Sequence, residues 1–505
     1  MVIIPGVKRP TPLLLLLPAG LLPACATSDN QVSVPDAMGE HGDLPSSEWT
    51  RFRGPNGTGQ SQAGLLPYAL DEEHQLWRSE LSPGHSSPIL FGERIYLTAL
   101  EGDTLWTYAL SASDGGVLWR AEAPRPRQER FDQRNNAASP SPAVDASCVC
   151  VFFPDYGLLA YDHAGEELWR VPLGPFNNIY GMGASPILVD GVCVLACDQN
   201  TNSFVVGVDQ KSGQLLWRTE RPLATSGHCT PIVREDDAGN AEVLLPGSFL
   251  LDAYAPRTGE RLWWVKGLCF EMKSVPVLHE GTIYINGYGS PMNDPGQQVD
   301  VGEYADVLAE RDADGNGTIG QEEMLPGRVA AWFGFVDLDG SKQLEANEWE
   351  YLRAALASRN GLLAIRPAAA GTRGDVSEGG IRWSYHRSIP QLPSTLIYDD
   401  VLYLVNDAGG LVTTLDPAAG ELIERGRIDE AVDNYYASPV AGDGKIYVVS
   451  EAGIAVVLPA GGSLEPLSVT DLGERCYATP ALAQGRVFLR TEAALYCFAN
   501  PKIGG

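Results

Sequence analysis

A proline returns along this chain in near-identical surroundings: Ser86-Ser87-Pro88, Pro140-Ser141-Pro142, Ala184-Ser185-Pro186, Cys229-Thr230-Pro231, Ser274-Val275-Pro276, Gln391-Leu392-Pro393, Ala437-Ser438-Pro439 and Ala478-Thr479-Pro480. Most steps are 41 to 46 residues; the first is 54, and the step from Pro276 to Pro393 is 117. Self-similarity at this period is the mark of a solenoid or propeller array.

The segments between the prolines select the propeller. Each proline is followed by an apolar run, a short turn and an alternating strand, as in Ile89 to Leu97 and Val440 to Val448. Glycine-containing turns between runs of period two are hairpin signals. A third strand follows, then an Asp- or Gly-rich turn and a short strand closing in tryptophan: Leu118-Trp119-Arg120, Leu168-Trp169-Arg170, Leu216-Trp217-Arg218, Leu262-Trp263 and Arg382-Trp383. Four strands and a closing aromatic describe one blade of an all-β propeller.

The segments Asp162 to Trp169 and Val208 to Trp217 resemble the tryptophan-docking motif of the PQQ-type propeller repeat. That resemblance covers roughly residues 49 to 500 apart from one insertion, and it implies eight blades, in agreement with the eight proline units. Trp77-Arg78 precedes the first proline, so the last unit, ending at Leu495-Tyr496-Cys497-Phe498, is expected to take its outer strand from the N-terminal segment. Such a closure leaves no open sheet edge. Fold alone does not give function.

The long step holds an inserted module. Asp312-Ala313-Asp314-Gly315-Asn316-Gly317-Thr318-Ile319-Gly320-Gln321-Glu322-Glu323 matches a complete EF-hand loop. Calcium takes six to eight oxygens at about 2.3 to 2.6 Å. Asp312, Asp314 and Asn316 offer side chains, Thr318 a backbone carbonyl, Gly320 a water, and Glu323 a bidentate carboxylate. Gly317 suits the sharp turn. A second loop, Asp337 to Glu348, carries Asp337, Asp339, Ser341, Glu345 and Glu348 at ligand positions, Gln343 at the carbonyl position, and Leu344 matching Ile319. Lys342 replaces the turn glycine there, at a cost of order 1 kcal/mol if held at positive φ, so the second loop is expected to bind more weakly.

Only Met324 to Val336 separates the loops, and Pro326-Gly327 cuts the first exit helix short, so a compact, irregular pair is expected. Tyr304, Val307 and Leu308 recur at helical spacing before the first loop; Trp332, Phe333 and Val336 do so before the second, and Trp349, Leu352, Leu356 and Leu363 after it. This aromatic stripe reads as the core of the pair, or its seat on the propeller, ahead of a target-binding groove.

At the N-terminus, Lys8 and Arg9 precede the apolar run Leu13 to Leu17, Leu21 and Leu22, ending at Leu22-Pro23-Ala24-Cys25. This is the order of a secretory signal peptide, too short to span a bilayer. Cys25 at the cleavage point resembles a bacterial lipobox and is the candidate lipidation site; Pro23 departs from that pattern, and cleavage by the ordinary signal peptidase is the alternative. The expected organisation is a signal peptide over 1–25, a tether over 26–48, blades over 49–297, the EF-hand insertion over 298–360 and further blades over 361–500.

A net charge of −28 excludes nucleic acid or an anionic membrane face as the partner. The eight cysteines after Cys25 fall in or beside apolar strands and are expected as buried thiols, with disulfides between distant strands left open by export. Cys148 and Cys150 share one face of a strand and are poorly placed to bridge each other.

The resemblance bears on catalysis in two ways. The family's PQQ-dependent dehydrogenases imply a quinone and calcium site on the propeller axis, but many carry a disulfide between adjacent cysteines, and no Cys-Cys pair exists here. The chain is more similar to the non-enzymatic envelope propeller lipoproteins of the family. The residue three before each repeat proline is His85, Ser139, Gly183, His228, Lys273, Pro390, Tyr436 and Tyr477. If these face one funnel, His85, His228, Lys273, Tyr436 and Tyr477 are candidate ligand groups; otherwise they hold neighbouring blades together. Gly54 to Gly59 lacks the context of a phosphate cradle and reads as a turn. The expected function is therefore an exported, monomeric, calcium-binding, non-catalytic scaffold for an envelope protein or glycan, with a PQQ- and calcium-dependent alcohol or sugar dehydrogenase as the alternative.

Overall fold

Alternating apolar runs that bury both faces of each inner strand build eight separate sheets, arranged blade against blade. The structure, a computed structural model, describes residues 48–501 apart from 63, 226 and 290–296. Blade 1 is Ile89–Phe91, Arg94–Glu101, Thr104–Ser111 and Val117–Ala123, paired in that order, and the same antiparallel four-strand order recurs around the ring, with a fifth, parallel strand, Gly374–Asp375, added to the outer edge of blade 4. In blade 8 the strands Ala481–Ala483, Arg486–Arg490 and Ala494–Ala499 are completed by Gln75–Glu80 from the other end of the chain, with Arg78 opposite Tyr496. The predicted closure through Trp77-Arg78 is therefore what the fold contains. Cys25 and the Lys8 to Leu22 run lie outside the described residues.

The closing tryptophans hold consecutive blades together. Each indole N–H donates to a carbonyl in the turn of the following blade: Trp77 to Ala112 (3.3 Å), Trp119 to His163 (3.0 Å), Trp169 to Gln210 (2.8 Å), Trp217 to Pro256 (2.9 Å) and Trp383 to Pro417 (3.1 Å). The ring lies on a turn glycine. At Gly213, with φ +74°, a Cβ would sit 2.7 Å from the Trp169 side chain, so this position requires glycine twice over, for its dihedral and for its bareness. Trp263 instead turns to Glu242 of its own sheet.

At the inner edge of the blades a circle of hydroxyls takes over. Ser87 N–H donates to Ser141 Oγ, Ser141 to Ser185, Ser185 to Thr230, Val275 to Ser394, Ser394 to Ser438, Ser438 to Thr479, and Thr479 back to Ser87, at 2.8 to 3.0 Å. The step from Thr230 lacks this bond because Val275 has no hydroxyl to accept it.

This circle corrects the repeat phase in blade 6. Ser394 occupies the place that Ser87 and Ser438 hold, so the residue equivalent to the repeat proline is Thr395, ahead of the strand Leu396–Tyr398. Pro393 lies two residues early, and the axial position is Leu392 rather than Pro390. Where proline offers no N–H, Thr395 has one, and the buried Asn286 of blade 5 accepts from both its N–H (3.1 Å) and its hydroxyl (2.9 Å).

The turn expected over Gly54 to Gly59 belongs to a strap, residues 49–62, that crosses the ring. Trp49 bridges to Leu90 of blade 1, Thr50 O accepts from Val144 of blade 2, Asn56 pairs with Val233 of blade 4, and Gln60 reaches Ile397 and Ala441 of blades 6 and 7. Arg53, fully buried, donates to the carbonyls of Thr395 (2.9 Å) and Pro439 (3.3 Å), and burial lowers its pKa to about 9.

The inserted module leaves blade 5 after the strand Thr282–Gly287 and returns at Gly361–Ile365, which pair directly with each other. Its helices are Tyr304–Arg311, a 3-10 turn Gly327–Trp332 running into Phe333–Val336, and Ala346–Ala357. The irregular link after Pro326 agrees with the expected short exit. Leu363 is a correction: the last helix stops at Ala357, and Leu363 belongs to the blade strand. The aromatic stripe is core and seat. Phe333, Val336, Trp349 and Leu352 are buried in one cluster with Phe249, Phe270 and Trp263 of the propeller. Phe270 packs on Phe335 (ring centroids 4.9 Å) and Tyr351 (5.4 Å), and the Tyr351 hydroxyl bonds Thr225.

All eight cysteines among the described residues are buried thiols. Cys148 and Cys150 bring their sulfurs to 3.7 Å without bonding covalently.

Candidate functional site

Among the described residues, the sequence-predicted site residues fall in the inserted loops and the axial funnel; apart from these, His279, Glu280 and Asp400 also gather one ligand atom each within 4.8 Å of one another. In the loops, Ile319–Gly320 and Gln343–Leu344 form a two-residue antiparallel ladder with Ile319 opposite Leu344, both fully buried, which sets the loops side by side. The Thr318 hydroxyl donates to Gln343 Oε1 across them at 2.9 Å.

In the first loop, one oxygen from each of Asp312, Asp314 and Glu323 falls in a group whose members all lie within 4.8 Å of one another. Asp312 accepts from the N–H groups of Asn316 and Gly317 (both 3.0 Å), and Glu323 from those of Ala313 (2.7 Å) and Gly320 (2.8 Å). These backbone donors hold the Glu323 carboxyl below its ordinary pKa. Asn316 turns its amide nitrogen to Asp314 (2.9 Å) and its oxygen to the Thr318 N–H (2.8 Å).

The second loop repeats the arrangement with Asp337, Asp339 and Glu348, again within 4.8 Å. Glu348, buried at the helix start, accepts from Leu338 N–H (2.7 Å) and Glu345 N–H (3.0 Å), and burial raises its pKa. Glu345 serves as the N-cap in a capping box with Glu348 rather than turning to the loop centre. Ser341 donates to the Gln343 carbonyl at 2.8 Å. Lys342 has φ +65°, the strained conformation expected where glycine is missing.

Asp337 Oδ1 is buried without a hydrogen-bond partner among the described residues. Three carboxylates crowded this closely repel one another, and an orphaned buried oxygen has a desolvation cost with nothing to offset it. A hard divalent cation would answer both, so the donor set fits calcium.

The funnel lies on the propeller axis. His85, Lys273, His228, Tyr436 and Tyr477 line one cavity of about 170 Å³, the first of the two arrangements their phase in the repeat allowed, together with Gly183 and Ser139. The blade-6 position is Leu392. The hydroxyl circle and Phe52 of the strap also line it. Arg134 and Asn135 line it as well, and an overlapping lobe of about 150 Å³ adds Asp132 and Tyr180.

One wall is aromatic. His85 stacks on Tyr477 (centroids 4.2 Å, 26° between planes), and Tyr477 lies parallel to Tyr436 (6.0 Å, 1°). Arg134 covers Tyr436 at 5.9 Å. Across the axis, Lys273 pairs with Glu271 (2.7 Å) and lies 4.2 Å from the Tyr180 ring centroid, while the Tyr180 hydroxyl donates to Glu271 (2.8 Å). Arg134 is paired with Asp132 (2.7 Å), and the Tyr477 hydroxyl donates to Glu451 (3.1 Å). His228 has both ring nitrogens buried without a partner among the described residues, as is Nδ1 of His85. Burial, reinforced by Lys273, pushes His228 down to about 3; burial, reinforced by Arg490, pushes His85 to about 4. Both imidazoles are therefore neutral at neutral pH.

Arg134, Asn135, Tyr180 and Glu271 escaped the sequence reading because they sit on inter-blade segments outside the repeat phase. The unusual length of the first proline step, 54 residues, was the available signal for Arg134 and Asn135.

Eight four-stranded blades joined by docked tryptophans make this a PQQ-type propeller by fold. It belongs to the family of the outer membrane protein assembly factor BamB, whose model matches residues 62–238 and 352–504. No curated protein matches the chain. Among solved structures it is similar to BamB from Moraxella catarrhalis (12% identity, TM-score 0.50, covering 85% of this chain and 99% of that one). It is also similar to a europium-containing methanol dehydrogenase (11%, 0.54, 90% and 98%) and to the quinohemoprotein alcohol dehydrogenase from Comamonas testosteroni (11%, 0.53, 91% and 81%). At these identities the likeness is one of fold.

Proposed function

We propose that this protein is an exported, calcium-binding, non-catalytic propeller, serving as an interaction scaffold for a protein or glycan partner in the bacterial cell envelope and anchored through a lipid on Cys25. The calcium part rests on the orphaned Asp337 Oδ1 within a crowded carboxylate trio, beside a second trio of the same design. Asp312, Asp314, Asn316, Glu323 and the Thr318 carbonyl would hold one ion; Asp337, Asp339, Ser341, Glu348 and the Gln343 carbonyl would hold the other. The ions would neutralise the acids and lock the paired loops onto the blade seat. The envelope part is supported by the leader-like N-terminal sequence and by a family named for an outer-membrane assembly factor.

The dehydrogenase alternative draws only on fold. Pyrroloquinoline quinone is a tricarboxylate, and the funnel residues do not fit it. The funnel's cations Arg134 and Lys273 are already paired with Asp132 and Glu271, and Glu451 and Glu492 lie against Tyr477 and His85. Among the described residues, no metal-ligating trio of side chains converges there.

Calcium titration by calorimetry decides the metal claim. Two sites are expected in the wild type, the tighter one lost in Glu323→Gln and the weaker in Glu348→Gln. Unchanged stoichiometry in both variants would overturn it. Uptake of the quinone with turnover of simple alcohols would replace the scaffold reading.

A further inference from the structure

The funnel contains hydrogen-bonding capacity that the fold does not use. His228 has two buried ring nitrogens without a partner among the described residues and His85 has one. Leaving such buried atoms unpaired carries a desolvation cost that a bound partner would remove. A neutral imidazole carries one donor and one acceptor. Its best partner therefore both gives and takes a hydrogen bond; a carboxylate only accepts, and an ammonium only donates.

The charges nearby point the same way. The two cations of the walls, Arg134 and Lys273, already hold Asp132 and Glu271. With Glu451 and Glu492 at the aromatic side, the funnel has no surplus positive charge to attract an anion.

Shape supplies the remaining constraint. The lobes of about 170 and 150 Å³ fall below the roughly 300 Å³ of a drug-sized pocket. That limits the occupant to a single small ring. The aromatic wall of His85, Tyr477 and Tyr436 offers apolar surface to ring C–H groups, while the opposite wall offers polar atoms. Between the walls the axial position of blade 3 is Gly183, where the atoms nearest to an added Cβ are those of His228, Nδ1 at 3.4 Å, an ordinary contact distance, so the ring of side chains has room beside the unpartnered imidazole.

From these relationships we infer that the axial funnel is a binding site for one neutral, hydroxyl-rich ring, a single sugar unit, held between the Tyr477 wall and His228. This narrows the scaffold reading to one ligand class in one cavity and does not depend on the calcium loops, because calcium and sugar binding are titrated separately.

The test uses the full chain with glucose, galactose and N-acetylglucosamine as probes, followed by saturation-transfer NMR and calorimetry at low and high salt. At least one sugar is expected to bind with 1:1 stoichiometry and an affinity independent of salt. His228→Ala and Tyr477→Ala should each weaken it about tenfold or more. Gly183→Val, which fills the space beside His228, should abolish binding while thermal unfolding stays that of the wild type. Failure of all three sugars to bind would overturn the inference, as would binding that survives Gly183→Val in a folded protein. So would benzoate or phosphate binding more tightly than any sugar, with an affinity that falls as salt rises.

Discussion

The backbone N–H of Thr479 in the last blade donates to the hydroxyl of Ser87 in the first at 3.0 Å, closing the circle of hydroxyl contacts around the axis. Both residues are buried. Ser87→Ala leaves that N–H without a partner, and the expected cost is about 1 to 3 kcal/mol. Chemical denaturation of the variant should show this loss with an unchanged denaturant slope.

The docked tryptophans give a sharper prediction. Gly213→Ala forces a methyl to within 2.7 Å of Trp169 at φ +74°. Destabilisation of about 2 kcal/mol or more is expected, with altered Trp169 fluorescence; a neutral substitution would show that the turn moves freely.

Lys342 lies at φ +65° in the second loop. Replacing it with glycine removes a left-handed penalty of about 1 kcal/mol. Calcium affinity at that loop should rise several-fold in Lys342→Gly, with the first loop unaffected. In the same titrations, chelation should lower the melting temperature, since an ion bound only to the folded state stabilises it by mass action.

Stability should also depend on pH through the funnel. His85 and His228 titrate near 4 and 3 in the fold, against about 6.5 when unfolded. Depressed values mean that the unfolded chain binds protons first on acidification. Their contribution is full above about pH 6.5 and is lost as pH falls toward 4 and below. A His85→Gln/His228→Gln double variant should therefore lose less stability between pH 7 and 4.5 than the wild type does.

Much of this architecture was legible because propellers repeat. The phase of Pro88 to Pro480 put His85, His228, Lys273, Tyr436 and Tyr477 at equivalent positions, though it left open whether they face a funnel or hold neighbouring blades, and Trp77 marked the strand that closes the ring. The pairing of Ile319 with Leu344 followed from equivalent loop positions. What escaped lies outside the repeat. Thr395 replaced a proline, so identity misled the phase of blade 6 by two residues until Asn286 showed which N–H was being satisfied. The strap around Arg53 makes its contacts one blade at a time across more than half the ring, and no local pattern encodes that. Leu363 continued a helical spacing by coincidence, its burial set by blade 5 and not by the helix ending at Ala357.

The pairing of Gln75–Glu80 with Ala494–Ala499 also fixes the order in which the molecule can be completed. During synthesis, the strand Gln75–Glu80 emerges early and has no partner until Ala494–Ala499 has followed. Every shorter nascent chain is an arc with two raw ends, and only the final strand turns that arc into a ring. A chaperone that shields Gln75–Glu80, or a stop codon before Ala494, would therefore govern whether the entire propeller forms, although each touches only one strand.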